Sequence, residues 1–313
     1  MSDSTVTEAR KQLRDKYGIE AVDAGVALQG PGFEKRLAQR DALDPHFTKA
    51  WLDYQITGLS QRPALDMRTR FLVLIGQYTM AKSQPHLDDT LRAALSAKVK
   101  VREILEIILQ CVVYGGHVTV DPAIETFHKI AEELNLLPEI KQTQLPMDGT
   151  SSKRNRVEEE KGWHKDDMAD PRTQPLLDKH GWLSVGRGLT MRPRHHINIL
   201  HWIDVMDTHF ANIWVKFCYG DMYSRWMIDD KTRLLCMIGD CLAVGEETQS
   251  RGHMRGAMRQ GAHPREIMEV IFQTSANFGM PGAWHALENF IEILAEDGRL
   301  GEIGNPPLRV ESH

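Results

Sequence analysis

Thr69-Arg-Phe-Leu-Val-Leu-Ile-Gly-Gln-Tyr-Thr-Met-Ala81 is apolar nearly all the way round and too short to cross a bilayer, the pattern of a helix buried on every side. The pattern returns in Thr232-Arg-Leu-Leu-Cys-Met-Ile-Gly-Asp-Cys-Leu-Ala-Val244. Each stretch is followed by a second apolar helix with a carboxylate one turn in: residues 101–113 with Glu106, and residues 264–276 with Glu269. Pro264 at the first position and Glu266 two residues on make a normal helix start. Period-two alternation bounded by turn pairs is hard to find, so the fold reads as all-α.

Working outward, the two stretches lie 163 residues apart. At that offset residues 13–133 align with 176–296 without a gap, and 33 of 121 positions are identical. The matches include rare residues: Trp51 with Trp214, His46-Phe47 with His209-Phe210, Arg62 with Arg225, Gln110 with Gln273. The chain therefore reads as a tandem duplication. Residues 1–134 form a first domain, 135–172 a polar linker, 173–300 a second domain and 301–313 a C-terminal tail. The linker is rich in Lys, Glu, Asp, Ser and Pro, a composition expected to stay a surface arm, with Glu158–Lys161 as a solvated charge run.

Composition narrows the class. In 313 residues, 42% hydrophobic and 26% charged content with a net charge of −5 describe a globular chain. Mild acidity argues against coating nucleic acid, and neither a signal peptide nor a membrane span is expected. Four cysteines without a C-x-x-C pair point to a reduced, cytoplasmic protein. No nucleotide-binding or serine-hydrolase motif is present.

Asp229-Asp-Lys-Thr-Arg233, His253-Met-Arg-Gly-Ala-Met-Arg-Gln-Gly261, Arg265-Glu-Ile-Met-Glu269 and Gly279-Met-Pro281 recur as a spaced set, echoed by Arg62-Pro-Ala-Leu-Asp66, Arg102-Glu-Ile-Leu-Glu106 and Tyr114-Gly-Gly116. This set resembles the carboxymuconolactone decarboxylase family within the AhpD-like superfamily. The resemblance implies two helical domains forming a pseudo-dimer and further self-association into a ring, such as a trimer of pseudo-dimers. It also implies a cofactor-independent carboxy-lyase, without metal, acting on a small anionic substrate such as a lactone acid from aromatic catabolism. Another carbon–carbon lyase or isomerase on a related acid, or a non-catalytic binding oligomer, would use the same parts. The redox branch of the superfamily is disfavoured: Glu246 and Gln249 stand at its cysteine positions, and in the first copy Ser83 and His86 stand there with Thr90 at its histidine position.

Decarboxylation needs a carboxylate anchor, an electron sink and a proton donor. His253 is the candidate donor, matching the family histidine, with Gly252, Gly256 and Ala257 leaving room for a ligand or helix; a helix-surface histidine is the bland alternative. Glu269 is either its acid–base partner or, like Glu106, half of an ion pair with Arg233 or Arg70. Arg225 and Arg62, with Arg233, are candidate carboxylate anchors or ion-pair partners. His209 and His46 either touch substrate or bond the backbone at a helix start. Tyr114 lines a pocket or caps the core. Arg192-Pro-Arg-His195-His196 reads as a basic loop facing an anionic substrate rather than a metal site.

Overall fold

The computed structural model describes residues 3–147 and 154–303; the middle of the expected linker and most of the expected tail lie outside the described residues. Helices dominate and no strand occurs among the described residues. From Ile19 onward the helices recur at the 163-residue offset. Ile19–Gln29, Phe33–Leu43 and Pro45–Leu52 correspond to Trp182–Met191 (α3), His196–Met206 and Thr208–Val215. The π-helical segments Asp53–Ser60 and Lys216–Met222 correspond in turn, as do Met67–Met80 (α1) and Asp230–Ala243 (α4). Gln84–Ser96 pairs with Glu247–Arg259 (α5), Val101–Gln110 (α2) with the start of Pro264–Phe278 (α6), and His117–Glu133 with Met280–Glu296.

The repeated letters explain the repeated boundaries. Asp44 and Asp207 are N-caps, accepting from the backbone N–H of Phe47 and Phe210 at 2.9 Å each. Asp66 caps α1 and Asp229 caps α4, each taking both the backbone N–H and the hydroxyl of the threonine three residues on. His263 and Glu266 close a capping box on α6.

The middle of the molecule is α1 packed on α4. Their close approach depends on Gly76 and Gly239. A Cβ on Gly76 would sit 2.0 Å from Asp240 Oδ1, and one on Gly239 would sit 2.8 Å from Val73 Cγ1. Around this crossing the two halves exchange reciprocal contacts. Arg62 Nε donates to Glu269 at 2.7 Å, and Arg225 Nε donates to Glu106 at 2.8 Å. Arg70 reaches Gln273 at 3.2 Å, and Arg233 reaches Gln110 at 3.3 Å. Every partner is displaced by the same 163 residues, the arrangement of a self-complementary interface.

The segment expected to be a free linker departs from its composition. From Arg154 onward it is docked on the second half. Trp163 is buried against Gly186, where a Cβ would meet the indole at 2.3 Å. Fully buried Arg187 bonds Glu159 at 3.1 Å and Asp230 at 2.7 Å, and Arg154 bonds the same two carboxylates. Asp167 accepts the backbone N–H of Arg194 at 3.0 Å. A few anchors fix the strap although its composition is polar: one tryptophan and a paired charge cluster satisfy what burial requires. Of the run Glu158–Lys161 expected to be solvated, Glu158 and Lys161 face solvent, but Glu159 is nearly buried between Arg154 and Arg187.

Candidate functional site

His253 lies on the buried face of α5, 1% exposed, on the wall of a cavity of about 390 Å³. The cavity draws on both halves of the chain. Tyr114, just after α2, comes from the first half. Arg192, which ends α3, and Tyr219 and Tyr223, from the π-helical segment Lys216–Met222 and its end, come from the second. Trp214, Ile199 and Ile203 supply apolar wall, with Glu246 and Gln249 toward the rim.

Two contacts orient the imidazole. Its Nδ1 lies 3.3 Å from the Met191 carbonyl oxygen, and its Nε2 lies 2.6 Å from the Tyr114 hydroxyl. A carbonyl only accepts, so Nδ1 carries the proton; Nε2 is then the acceptor and the Tyr114 hydroxyl the donor. The approach of Met191 depends on Gly256, where a Cβ would lie 2.8 Å from that carbonyl oxygen. The small residue Gly256 beside His253 thus admits a helix end, and the ring itself lines the cavity.

Electrostatics set the protonation state. Burial, and after it the nearby Arg192 guanidinium, push His253 down to about 3. The resting ring is neutral at physiological pH, so His253 does not stand ready as an imidazolium and must gain a proton before it can donate one. Burial pushes the Tyr114 hydroxyl well up and the Tyr219 hydroxyl up to about 12. Arg192 is 6% exposed and its Nε has no hydrogen-bond partner. A buried guanidinium with an unused donor, lining a cavity, is arranged to receive an anion. Cys218 also lines the cavity, and burial pushes its thiol up to about 12, far from a thiolate.

Of the site residues expected from sequence, the structure brings His253 and Tyr114 together and places the others elsewhere. Glu269 does not pair with His253; its carboxylate bonds Arg62 and lies 3.6 Å from Arg70. Arg62 lines a separate cleft of about 570 Å³ with Phe272 and Leu287. Arg225 is spent on Glu106, which it grips with two nitrogens at 2.8 and 2.9 Å, and fully buried Arg233 lies 3.7 Å from the same carboxylate. Burial would push Glu106 up, but Arg225, Arg233 and Arg102 together hold it below the ordinary value. His46 and His209 are exposed in the first turns of their helices. His196 packs its ring against Tyr219 and Trp214, its ring centroid 4.5 Å from that of Tyr219.

Tyr219 and Tyr223 are the site residues that sequence reasoning left unassigned, and Arg192 stands there only as one member of a basic loop facing an anionic substrate. One signal could have found them: they are positions where the two copies differ. At the 163-residue offset Gln29, Ile56, Ser60 and Thr90 stand where Arg192, Tyr219, Tyr223 and His253 stand.

The family comparison falls on the second half of the chain. The model of the carboxymuconolactone decarboxylase family matches residues 208–291. An uncharacterized 15.0 kDa protein from the nqo9-nqo10 intergenic region of Paracoccus denitrificans is 41% identical over 85 residues, which are 26% of this chain and 63% of that relative. The 4-carboxymuconolactone decarboxylase of Acinetobacter baylyi is 29% identical over 104 residues, 33% of this chain and 78% of that enzyme. No helix among the described residues is long and apolar enough to cross a membrane. The stretch of this chain that matches the carboxymuconolactone decarboxylase family is all-helical and spans α4, α5 and α6, the helix that carries His253 among them.

Proposed function

We propose that the protein is a cofactor-independent carboxy-lyase that decarboxylates a small lactone-type organic acid in the breakdown of aromatic compounds, and that its active site is the His253 cavity. The observation that carries this reading is the convergence of a buried guanidinium with no carboxylate partner among the described residues (Arg192) and an imidazole–phenol pair (His253 and Tyr114) on one mostly apolar hollow.

The chemistry follows from the charges. An entering carboxylate pairs with Arg192, cancelling one of the two causes that hold His253 neutral and adding an anion beside the ring. The imidazole then takes up a proton together with the substrate. Loss of carbon dioxide leaves an electron pair delocalised into the conjugated lactone carbonyl. Once protonated, His253 Nε2 donates to the Tyr114 oxygen; the Tyr114 hydroxyl gives its own proton to the resulting carbanion and takes the Nε2 proton in its place, which returns the ring to neutral. The apolar walls favour loss of a charged carboxylate as neutral gas. The Glu106 and Glu269 ion pairs hold the two halves together so that Tyr114 meets His253.

The self-association expected of this family belongs to the same proposal. Trp202, Val205, Met206, Phe210 and Ile213 form an exposed apolar run on the helices that flank the cavity, a surface suited to a second copy. The test is release of carbon dioxide from a panel of lactone acids by the purified chain. The expected result is turnover that Arg192→Gln weakens chiefly through KM. Conversion without carbon dioxide would identify an isomerase instead, and binding without conversion would identify a binding module.

A further inference from the structure

The internal repeat yields a second cavity, of about 360 Å³, at the position in the first half that corresponds to the His253 cavity. Its wall is completed by the other half through Asn277 and Phe278, as Tyr114 completes the first. The chemistry has been rearranged. Thr90 and Asn277 replace His253 and Tyr114, so that hydrogen-bonded pair is gone, while His86 and Tyr78 line the cavity from other positions with their rings stacked 5.4 Å apart. Gln29 replaces Arg192, and a cation appears across the cavity instead, where Arg40 replaces Ile203.

Arg40 is held in place without being neutralised. Its guanidinium lies over the Trp51 ring, 3.9 Å from the centroid. No carboxylate pairs with it among the described residues, and its Nη1 has no hydrogen-bond partner. Burial and the neighbouring Arg36 both lower its pKa, so an anion would relieve an unfavourable charge. A second unsatisfied group lines the same cavity. Gln55 is 6% exposed; its Nε2 donates to Asn277 at 2.9 Å, and its Oε1 has no partner. That acceptor calls for a donor on the ligand. Asn277 Oδ1 also accepts from Tyr78 at 2.7 Å, so that oxygen already serves two donors. Trp51, Tyr78 and Phe278 give the cavity aromatic walls.

We propose that this cavity is a second, non-catalytic binding site for a small planar hydroxy-carboxylic acid, whose carboxylate meets Arg40 and whose hydroxyl donates to Gln55 Oε1. The imidazole that lines this cavity, His86, bonds Ser83 at 2.8 Å and stacks on the Tyr78 ring instead of bonding a phenol hydroxyl, so the cavity holds an acid without the imidazole–phenol pair of the other site.

The experiment is calorimetric titration of the full chain with 4-hydroxybenzoate, benzoate and 4-hydroxybenzyl alcohol as probes, in an Arg192→Met background that disables the other cavity. The expected order is 4-hydroxybenzoate tightest, benzoate weaker for lack of the hydroxyl, and the alcohol weakest for lack of the charge. Adding Arg40→Met should weaken 4-hydroxybenzoate about tenfold or more, the worth of a charge-assisted hydrogen bond. Adding Gln55→Leu should erase the preference for 4-hydroxybenzoate over benzoate while leaving benzoate affinity in place, which guards against an Arg40 variant that fails to fold. No binding in the Arg192→Met background, or 4-hydroxybenzoate binding that survives Arg40→Met in a folded protein, would overturn the proposal.

Discussion

Asp240 offers a test of the packing between the two halves that does not depend on any substrate. Its carboxyl lies at the α1–α4 crossing, fully buried, against the spot where a Cβ on Gly76 would have to go. One oxygen accepts from Gln110 Nε2 at 2.9 Å and the other has no partner. Burial pushes the carboxyl up to about 8 from an ordinary 3.8, against the smaller opposing pull of Gln110. The native state therefore holds this proton at neutral pH, whereas the unfolded chain releases it. A raised native value is harmless below about pH 4, costs progressively more as pH rises, and levels off above about pH 8. At pH 7 the penalty is roughly 4 kcal/mol, at about 1.4 kcal/mol for each unit between the unfolded value and the working pH. Asp240→Asn removes the titration and retains an oxygen for Gln110. The first copy already carries an amide at the equivalent position, Gln77, whose Nε2 donates to Thr274 at 2.6 Å. Urea unfolding of wild type and variant at pH 4, 6 and 8 reads the effect. The two should be nearly equal at pH 4, and the variant should gain up to about 4 kcal/mol by neutral pH, the figure being a ceiling. A stability difference that does not change with pH would refute the buried, protonated carboxyl.

Other consequences can be measured with the same preparations. Glu106→Ala strands Arg225, Arg102 and Arg233 and should cost about 3–5 kcal/mol in denaturant unfolding, with an intact far-UV spectrum before the transition. Because Glu106 is held below its ordinary value, its contribution is present above the unfolded value of 4.5 and is lost as pH falls through the native value; Glu106→Gln should flatten that acid limb. Gly256→Ala puts a methyl 2.8 Å from the Met191 carbonyl oxygen, which backbone cannot readily vacate, so it should destabilise by about 1–3 kcal/mol and reduce turnover by breaking the Nδ1 contact. Arg187→Met removes a cation shared by Glu159 and Asp230, and should expose residues 154–172 to trypsin while leaving the α1–α4 crossing protected.

The sequence discloses this fold because its signals are local and doubled. Buried helices read as such from their all-round apolarity, and Asp44, Asp66, Asp207 and Asp229 announce helix starts in a form that geometry honours. His253 and Tyr114 could be singled out, but not the contact between them, since it joins residues 139 apart across two halves of the chain. The arginines misled for a physical reason. Arg62, Arg225 and Arg233 stand beside the motif, yet each is paired with a carboxylate across the centre of the molecule, whereas Arg192, at a helix end, lines the His253 cavity with no carboxylate partner among the described residues. Protonation of His253 was equally out of reach, because burial and a neighbouring guanidinium set it and neither is a property of nearby letters. The strap shows a limit of composition: average polarity forecasts a free linker, but Trp163, Glu159 and Asp167 are enough to seat it.

The central claim is that the His253 imidazole delivers, through Tyr114, the proton that replaces the lost carboxylate. The most direct measurement is carbon dioxide release from an accepted lactone acid by wild type and His253→Gln, with helicity and substrate binding checked in both. A positioned proton donor contributes about 100- to 10,000-fold, so kcat should fall by that range while binding through Arg192 persists. Turnover in folded His253→Gln within a few-fold of wild type would contradict the account.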